Sequence, residues 1–266
     1  MTETVKTEKL LLQKDGPIGW IIFNQPEKRN AVSQEMWQAM PEYVADLAAD
    51  PAIRVVILRG AGEAAFVAGA DISQFKDRRR NAADEEEYRR ISGAGSESLA
   101  RLGKPLVAMI QGFCIGGGVS IAITCDLRIA ADDARFALPE PKVGVSIDAG
   151  GDLRLIAEIG AGWTKLLAFT GRRIDAETAL RLGIVQEVVP RDVLREHVRA
   201  LGLEIAANAP LAVQGIKRTI NYRAQQGLAE ALRFEAASAA PLFTSDDMAL
   251  GYKAMAAKQT PEFEGK

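Results

Sequence analysis

The length, composition and charge of the chain exclude several broad classes of protein. The chain has 266 residues, 48% hydrophobic and 26% charged, as is typical of a globular protein, and its net charge of −2 indicates no nucleic-acid partner. It has no apolar run of the roughly 18 residues that cross a membrane, and its first residues lack the pattern of a signal peptide. We therefore expect a cytoplasmic protein with no membrane partner.

The cysteine and histidine content argues against a metal centre. The two cysteines, Cys114 and Cys125, lie in apolar stretches without CxxC spacing, so we expect buried free thiols and no disulfide framework. The single histidine, His197, falls in a charged helical segment and is expected at the surface. The sequence therefore predicts no metal ligands.

Strands and helices alternate along the first two-thirds of the chain. Two apolar runs around Asp15-Gly16 predict a β-hairpin, and Ser33 is a predicted N-cap for a helix from about residue 34 to residue 47. The apolar segments RVVILRG, KPLVAMIQG and DLRIAA are typical of strands buried on both faces of a sheet. The mixed charge run from Lys76 to Arg90 predicts a solvated loop and the start of a helix.

The last third of the chain has a helical pattern. Asp175 is a predicted N-cap for the helix AETALRLG, and another helix is expected after Asp192. The fold class is therefore α/β with a helical C-terminal part. We place residues 1–200 in the core domain and residues 201–266 in a C-terminal helical region.

A run of three glycines follows the second of these apolar strands. In GFCIGGGVSIAITCD (residues 112–126), the predicted order is a strand at 105–110, a glycine loop at 111–116 and a helix from about 117. A helix start presents unpaired backbone N–H groups, and glycine lets a ligand oxygen approach them without meeting a Cβ atom. The spacing matches neither nucleotide-binding motif, GxxxxGK[ST] or GxGxxG.

A second segment exposes its backbone in the same way. FVAGAD (residues 66–71) follows another buried strand and contains only small residues before the aspartate. The two segments predict either the tight packing of two loops or an oxyanion hole, which needs two converging N–H donors.

Five segments, in order over nearly the whole chain, resemble the enoyl-CoA hydratase/isomerase (crotonase) superfamily. They are NQPEKRNAVS, FVAGADI, GFCIGGGVSIAITCDLRIAADDARFALPEPKVGV, TGRRIDAETALRLGIVQEVVP and DDMALGYKAMAAKQTPEFEGK. The resemblance implies a crotonase-like spiral of ββα units, with a C-terminal helical trimerisation region and assembly as a homo-oligomer, either a trimer or a dimer of trimers. It also implies an acyl-CoA substrate, no separate cofactor, and an oxyanion hole for the thioester built from the N–H groups of Ala70 and Gly117.

The resemblance further indicates which carboxylates move protons. Hydratases of the family have two glutamates, and the positions here are Ser120 and Glu140, so one acid is replaced by a hydroxyl that can hold water but cannot act as a base near neutral pH. Asp148 stands where hydratases usually have glycine and where dienoyl-CoA isomerases have a carboxylate, although those isomerases also carry aspartate at the position of Ser120. Feruloyl-CoA hydratase-lyases share the Ser120 and Glu140 pair. A dehalogenase branch uses an aspartate at the position of Asp148 as nucleophile but lacks an acid at that of Glu140.

These residues leave three functions open. The favoured one is an enoyl-CoA hydratase-type reaction, in which Glu140 activates a water held by Ser120. The second is an enoyl- or dienoyl-CoA isomerase using Glu140 and Asp148, since two carboxylates in an apolar cleft would raise the pKa of at least one of them. The third is a non-catalytic CoA-binding protein, because fold alone does not determine a reaction.

Contacts to CoA are also implied by the resemblance. The predicted CoA-binding residues are Lys28, Arg29, Ala31, Ala68, Asp71, Ile72 and Lys258. Lys258 corresponds to a basic residue that reaches the CoA of a neighbouring subunit in some relatives, and an exposed lysine at a helix end is the alternative. Arg78, Arg79 and Arg80 could meet CoA phosphates, but a solvated run is favoured.

Overall fold

The computed structural model of the protein describes residues 7–74, 81–146 and 151–266. The strands are β1 (Leu10–Asp15), β2 (Ile18–Phe23), β3 (Val55–Gly60), β4 (Ala65–Val67), β5 (Leu106–Ile110), β6 (Phe113–Ile115), β7 (Leu127–Ala131), β8 (Arg135–Ala137), β9 (Ile174–Asp175) and β10 (Glu187–Val189). The α-helices are α1 (Gln34–Ala49), α2 (Ala82–Ala100), α3 (Gly117–Thr124), α4 (Gly151–Thr170), α5 (Ala176–Leu182), α6 (Leu194–Ala206), α7 (Pro210–Gln225), α8 (Leu228–Ala239) and α9 (Asp246–Ala257).

The strands form two sheets. The larger sheet has the order β1-β2-β3-β5-β7-β10 and the smaller one β4-β6-β8-β9, with antiparallel pairing at β1/β2 and β8/β9 and parallel pairing between the other neighbours. The consecutive pairs β3/β4, β5/β6 and β7/β8 each place one strand in each sheet, and a helix follows each pair. The chain thus advances as a spiral of ββα units, which confirms the predicted α/β fold.

Local signals place several of these elements as expected. The hairpin turns at Gly16, whose φ of 56° is in the left-handed region that favours glycine. The Ser33 hydroxyl accepts a hydrogen bond from the Met36 amide (3.4 Å) at the start of α1, and the Asp175 carboxylate accepts one from the Thr178 amide (2.9 Å) at the start of α5. Both predicted N-caps are therefore confirmed.

One element departs from the expected pattern. Residues 113–115 were expected in a glycine loop and instead form strand β6. This strand pairs with β4 and β8, each about 20 to 50 residues away along the chain. Because the hydrogen-bond partners of β6 are distant in sequence, its local glycine-rich pattern did not reveal it.

The core has two parts, one on each face of the larger sheet. Val56 and Leu58 of β3 pack into the main core with Phe66 of the smaller sheet. The alternating residues of β3, Val55 and Ile57, point the other way, toward Leu194 and Val198 of α6, which covers the outer face. This alternation explains why β3, β5 and β7 carry apolar residues on both faces.

The C-terminal helices extend from this core. The ammonium group of Lys217 on α7 contacts the carboxylate of Asp126 (2.7 Å) and the carbonyl oxygen of Lys104 (2.9 Å), which fastens α7 to the larger sheet. The predicted domain boundary at residue 200 lies within α6, and this division of the chain stays a prediction. In the described parts of the chain, no helix is long and apolar enough to span a membrane.

Candidate active site

The candidate site lies at one edge of the smaller sheet. Because β4, β6 and β8 are parallel, their carboxyl ends meet at the same edge, and each is followed by a segment that the sequence singled out. Ala68 to Ala70 follow β4, Gly116 and Gly117 follow β6, and Glu140 follows β8. These segments line a cavity of about 840 Å³, a size typical of small-molecule sites.

Two backbone amides are brought together in this cavity. Gly117 is the first residue of α3, and a Cβ atom placed on it would lie 3.9 Å from the amide nitrogen of Ala70. The segment around Ala70 is held by Val32, whose amide donates to the Gly69 carbonyl (2.8 Å) and whose carbonyl accepts from the Asp71 amide (2.9 Å). Within the described part of the chain, neither the Ala70 nor the Gly117 amide donates a hydrogen bond. Two adjacent, available N–H groups are the donor set of an oxyanion hole.

Each of the other two glycines of the run meets a different neighbour. Gly116 has a φ of 53°, and a Cβ atom there would lie 2.9 Å from Oε1 of Glu140. A Cβ atom on Gly118 would lie 2.1 Å from the Val67 carbonyl oxygen, so only glycine lets α3 pack on β4. The glycine run therefore serves both the packing of two segments and the approach of a carboxylate to the helix start.

Glu140 and Ser120 face this same cavity. Glu140 begins a short 3-10 turn (Glu140–Val143), and its Oε2 atom is shielded from solvent. Ser120 lies on α3, where its amide donates to the Gly116 carbonyl (3.2 Å), and its side chain is buried. This part of the cavity brings together the Glu140 carboxylate, the Ser120 hydroxyl and the two amide donors, a set that can polarise a carbonyl group and transfer protons beside it.

Some predicted site residues fall outside the described residues. Asp148 does so, as do Arg78, Arg79 and Arg80. The roles that the resemblance implies for them stay predictions.

Lys28 and Asp71, both expected to contact CoA, form an ion pair with each other. The Lys28 ammonium group lies 2.8 Å from Oδ2 of Asp71, whose side chain is 3% exposed, and Ser73 donates its hydroxyl and its amide to Oδ1. Burial alone would raise the pKa of Asp71, but the hydrogen bonds from Lys28 and Ser73 and the Lys28 charge together hold it below its usual value. Asp71 therefore fastens the segment that carries the Ala70 amide.

The other predicted CoA-binding residues occupy different surroundings. Ala68 and the exposed Ile72 line the cavity, whereas Ala31 is buried beside it. The Arg29 guanidinium lies over the Phe113 ring (4.8 Å to its centroid) and lines a separate cavity of about 460 Å³ near the amino ends of β4, β6 and β8. Lys258 is exposed at the carboxyl end of α9 and does not line the larger cavity.

Sequence reasoning missed the wall of the cavity that α2 forms. Its cavity-facing residues are Glu85, Tyr88, Arg89, Ser92 and Ser96. They fall partly in the charge run that was interpreted as a solvated loop and helix start. The four-residue spacing of Tyr88, Ser92 and Ser96 was the available signal, because such spacing places side chains on one helix face.

The histidine and the two cysteines do not line the larger cavity. No group of three or more His, Cys, Asp or Glu side chains among the described residues could hold a metal ion. His197 is partly exposed and its Nε2 atom lies 2.5 Å from the Glu187 carboxylate, as expected for a surface residue. Cys114 and Cys125 are buried free thiols, and burial raises the pKa of Cys125 to about 12.

The fold and the site together define an α/β spiral protein with two neighbouring backbone amides, unpaired among the described residues, beside a carboxylate. A sequence model described as enoyl-CoA hydratase/isomerase matches residues 13–266. The chain therefore belongs to the enoyl-CoA hydratase/isomerase family, which confirms the predicted resemblance.

Individual relatives match over nearly the full length. The chain is 35% identical over 243 residues to a short-chain-enoyl-CoA hydratase of Clostridium acetobutylicum, covering 91% of this chain and 92% of that protein. It is 30% identical to a crotonyl-CoA hydratase of Syntrophomonas wolfei, covering 97% and 99% of the two chains. The crystal structure of an enoyl-CoA hydratase from Bacillus anthracis has a TM-score of 0.94 at 31% identity, covering 97% of this chain and 100% of that one.

Proposed function

We propose that the protein is an enoyl-CoA hydratase-type enzyme, which adds water across the double bond of an α,β-unsaturated acyl-CoA thioester. The observation that carries the proposal is the approach of Gly117 to the Ala70 amide in the cavity that Glu140 also lines. The names of the Clostridium and Syntrophomonas relatives, both hydratases, support the same reaction class.

The two amides are proposed to act on the thioester carbonyl. Its oxygen accepts hydrogen bonds from Ala70 and Gly117, and these bonds strengthen as negative charge develops on the oxygen. The α3 helix start adds the positive end of its dipole at the same point. Attack of water at C3 of the acyl chain is thereby favoured, because the two amides stabilise the enolate that forms.

Glu140 is proposed to move both protons. Its carboxylate takes a proton from a water as the water oxygen forms a bond to C3, and the electrons of the double bond move toward the thioester oxygen. The Glu140 carboxylic acid then returns a proton to C2 as the enolate collapses, so the product has gained one water and the enzyme is unchanged. Ser120 holds the water by hydrogen bonding, in the place of the second acid.

The test is a panel of enoyl- and dienoyl-CoA thioesters incubated with the purified protein, with products identified by mass. The proposal predicts products heavier than the substrate by one water. Products of unchanged mass with a displaced double bond would instead establish an isomerase using Glu140 and Asp148, and Asp148→Asn would then abolish the reaction. A chain that binds the thioesters and converts none is a non-catalytic CoA-binding protein.

We also propose that the reaction needs no cofactor beyond the CoA of the substrate. The support is that two amide donors can polarise the thioester, which is the task a Lewis-acidic metal would perform. Dialysis against a chelator is expected to leave the rate unchanged, and recovery of a lost rate on adding a divalent ion would contradict this. A cytoplasmic location stays a prediction, to be tested by cell fractionation.

Assembly as a trimer or a dimer of trimers is likewise proposed. The support is the set of apolar side chains that the C-terminal helices leave mostly exposed in the single chain, including Leu228, Leu232 and Phe243. Burial of such residues between subunits would remove them from water. Sedimentation is expected to show an oligomer at micromolar concentration, and a stable monomer there would contradict the proposal.

A further inference from the structure

The α2 wall of the cavity is polar and has no part in the reaction proposed above. Residues three, four and seven apart share one face of a helix, so the cavity-facing residues of α2 form a continuous stripe along its axis. This stripe is withdrawn from bulk solvent at its centre, since Ser92 is 4% exposed and Tyr88 is 8% exposed. Side chains that carry hydroxyls, of which Tyr88 and Ser92 are buried, therefore line the space that an acyl group would occupy.

The other walls of the same cavity are largely apolar. They include Trp37 of α1, Ile121 of α3, and Val143 and Val145 beyond Glu140. A cavity for a plain hydrocarbon chain is expected to be apolar on all sides, because a hydroxyl covered by hydrocarbon loses water without gaining a partner. The polar stripe on α2 therefore indicates a ligand with a hydrogen-bonding group, which a plain hydrocarbon chain lacks.

Two hydroxyls of the stripe have hydrogen-bonding capacity left. Ser92 donates only a long bond to the Arg89 carbonyl (3.4 Å), and among the described residues the Ser96 hydroxyl forms no hydrogen bond. Between them in sequence, Gly95 packs on the Trp37 indole, where a Cβ atom would lie 2.6 Å from Cε3. This close packing holds the helix turn in place. Ser92 and Ser96 lie on either side of it, about 6 Å apart along the helix axis.

We infer that the acyl group of the substrate carries an oxygen function, a hydroxyl or a carbonyl, in its tail beyond the reacting double bond, and that Ser92 and Ser96 bind it. This inference rests on the proposed function, because it requires that an acyl-CoA thioester binds in this cavity. An oxygen in the tail restores the hydrogen bonds that the two serines lose when the cavity fills. A methyl group in its place leaves them unsatisfied, and sites of this kind discriminate strongly against the analogue that lacks the polar group.

The experiment uses matched pairs of thioesters that differ in one group. Each trans-2-enoyl-CoA with a terminal hydroxyl is compared with the analogue in which a methyl group replaces that hydroxyl, over several chain lengths. The saturated counterparts of each pair are compared in binding by calorimetry. Wild-type protein is set beside Ser92→Ala and Ser96→Ala. Ser98→Ala is the matched control, because Ser98 lies on the same helix, donates to the Gly95 carbonyl (2.7 Å) and does not line the cavity.

We expect the wild-type protein to bind and convert the hydroxylated member of at least one pair better than its methyl analogue. Ser92→Ala or Ser96→Ala is expected to reduce kcat/KM and affinity for that member by roughly threefold to tenfold, the contribution of one hydrogen bond, with no loss for the methyl analogue. Ser98→Ala should change neither. The inference is overturned if the methyl analogues are preferred at every chain length, or if the serine variants affect both members equally.

The two proposals fail separately in this design. Hydration of both members of every pair without a preference would leave the hydratase proposal standing and remove the polar-tail inference. Preferential binding of the hydroxylated saturated thioesters, without hydration of any enoyl thioester, would support the inference and contradict the hydratase proposal.

Discussion

The two ends of the smaller sheet use their polar groups in opposite ways. At the amino end, Arg191 donates to the Asp133 carboxylate (2.7 Å) and contacts the Glu63 carboxylate (3.3 Å), and the Gly112 amide donates to Asp133 (3.2 Å). At the carboxyl end, the Ala70 and Gly117 amides have no hydrogen-bond acceptor among the described residues. Strands β4, β6 and β8 therefore have one end where charged groups pair with one another and one end where two amide donors have no partner among the described residues.

This difference separates stability from function. Native proteins satisfy nearly all of their buried polar groups, so donors left without a partner in a cavity indicate a ligand. Substitutions of the groups that line the cavity at the carboxyl end should change the reaction while the fold persists, and substitutions of groups paired within the fold, at either end, should change stability. Four experiments test this division, from the largest expected effect to the smallest.

Glu140→Gln should have the largest effect. The amide keeps the shape of the side chain beside Gly116 but can neither take a proton from water nor return one to C2. We expect the rate to fall by about 10²- to 10⁴-fold with thioester binding retained, measured by steady-state kinetics and calorimetry. A rate near that of the wild type would rule out proton transfer by Glu140 and would direct attention to Asp148 as a nucleophile.

Gly117→Pro removes one of the two amide donors. Proline is well tolerated at the first position of a helix, which Gly117 occupies, so the fold should persist. We expect kcat to fall by about 10²- to 10³-fold, as for the loss of one oxyanion-hole donor. Circular dichroism and thermal unfolding serve as the control for folding, and a folded variant with an unchanged rate would contradict the role of this amide.

Asp71→Asn tests a stabilising contact at the functional end. Because hydrogen bonds and the Lys28 charge lower the pKa of Asp71 in the folded state, its ionised form stabilises the fold above its unfolded pKa, near 3.8, and this contribution is lost as the pH falls through the lower folded value. We expect the variant to lose about 1–2 kcal/mol of unfolding free energy at pH 7, from hydrogen bonds to a charged group. Urea unfolding should show this difference shrinking as the pH is lowered toward 3. A difference that stays constant with pH would contradict the assignment.

Arg191→Met should have the smallest effect. The Arg191 side chain is 40% exposed, and partly exposed ion pairs contribute about 0–1 kcal/mol. We expect a small decrease in unfolding free energy and an unchanged kcat/KM. A loss of activity beyond about threefold in a folded variant would show that the amino end of the smaller sheet is coupled to the site.

The sequence by itself determined the elements whose signals are local. The β1/β2 hairpin depends on one glycine turn, and α1 and α5 are capped by Ser33 and Asp175, whose side chains accept hydrogen bonds from amides three residues further on. The buried strands β3, β5 and β7 of the larger sheet are largely apolar because both of their faces are covered. The glycine run is also a local signal. Because glycine has no Cβ atom, the sequence alone indicated that a ligand could approach the backbone amides there.

Only the tertiary structure decided how distant segments meet. Four features depend on residues far apart in the chain. They are the pairing of strand β6, the approach of Gly117 to Ala70, the ion pair of Lys28 with Asp71, and the position of the Arg29 guanidinium over Phe113. The polar wall formed by α2 also depends on tertiary structure. Its serines line a cavity only because α1, α3 and the Glu140 turn form the other walls. Local patterns report the backbone preferences of neighbouring residues, whereas the direction and the partner of a side chain depend on the packing of the whole fold.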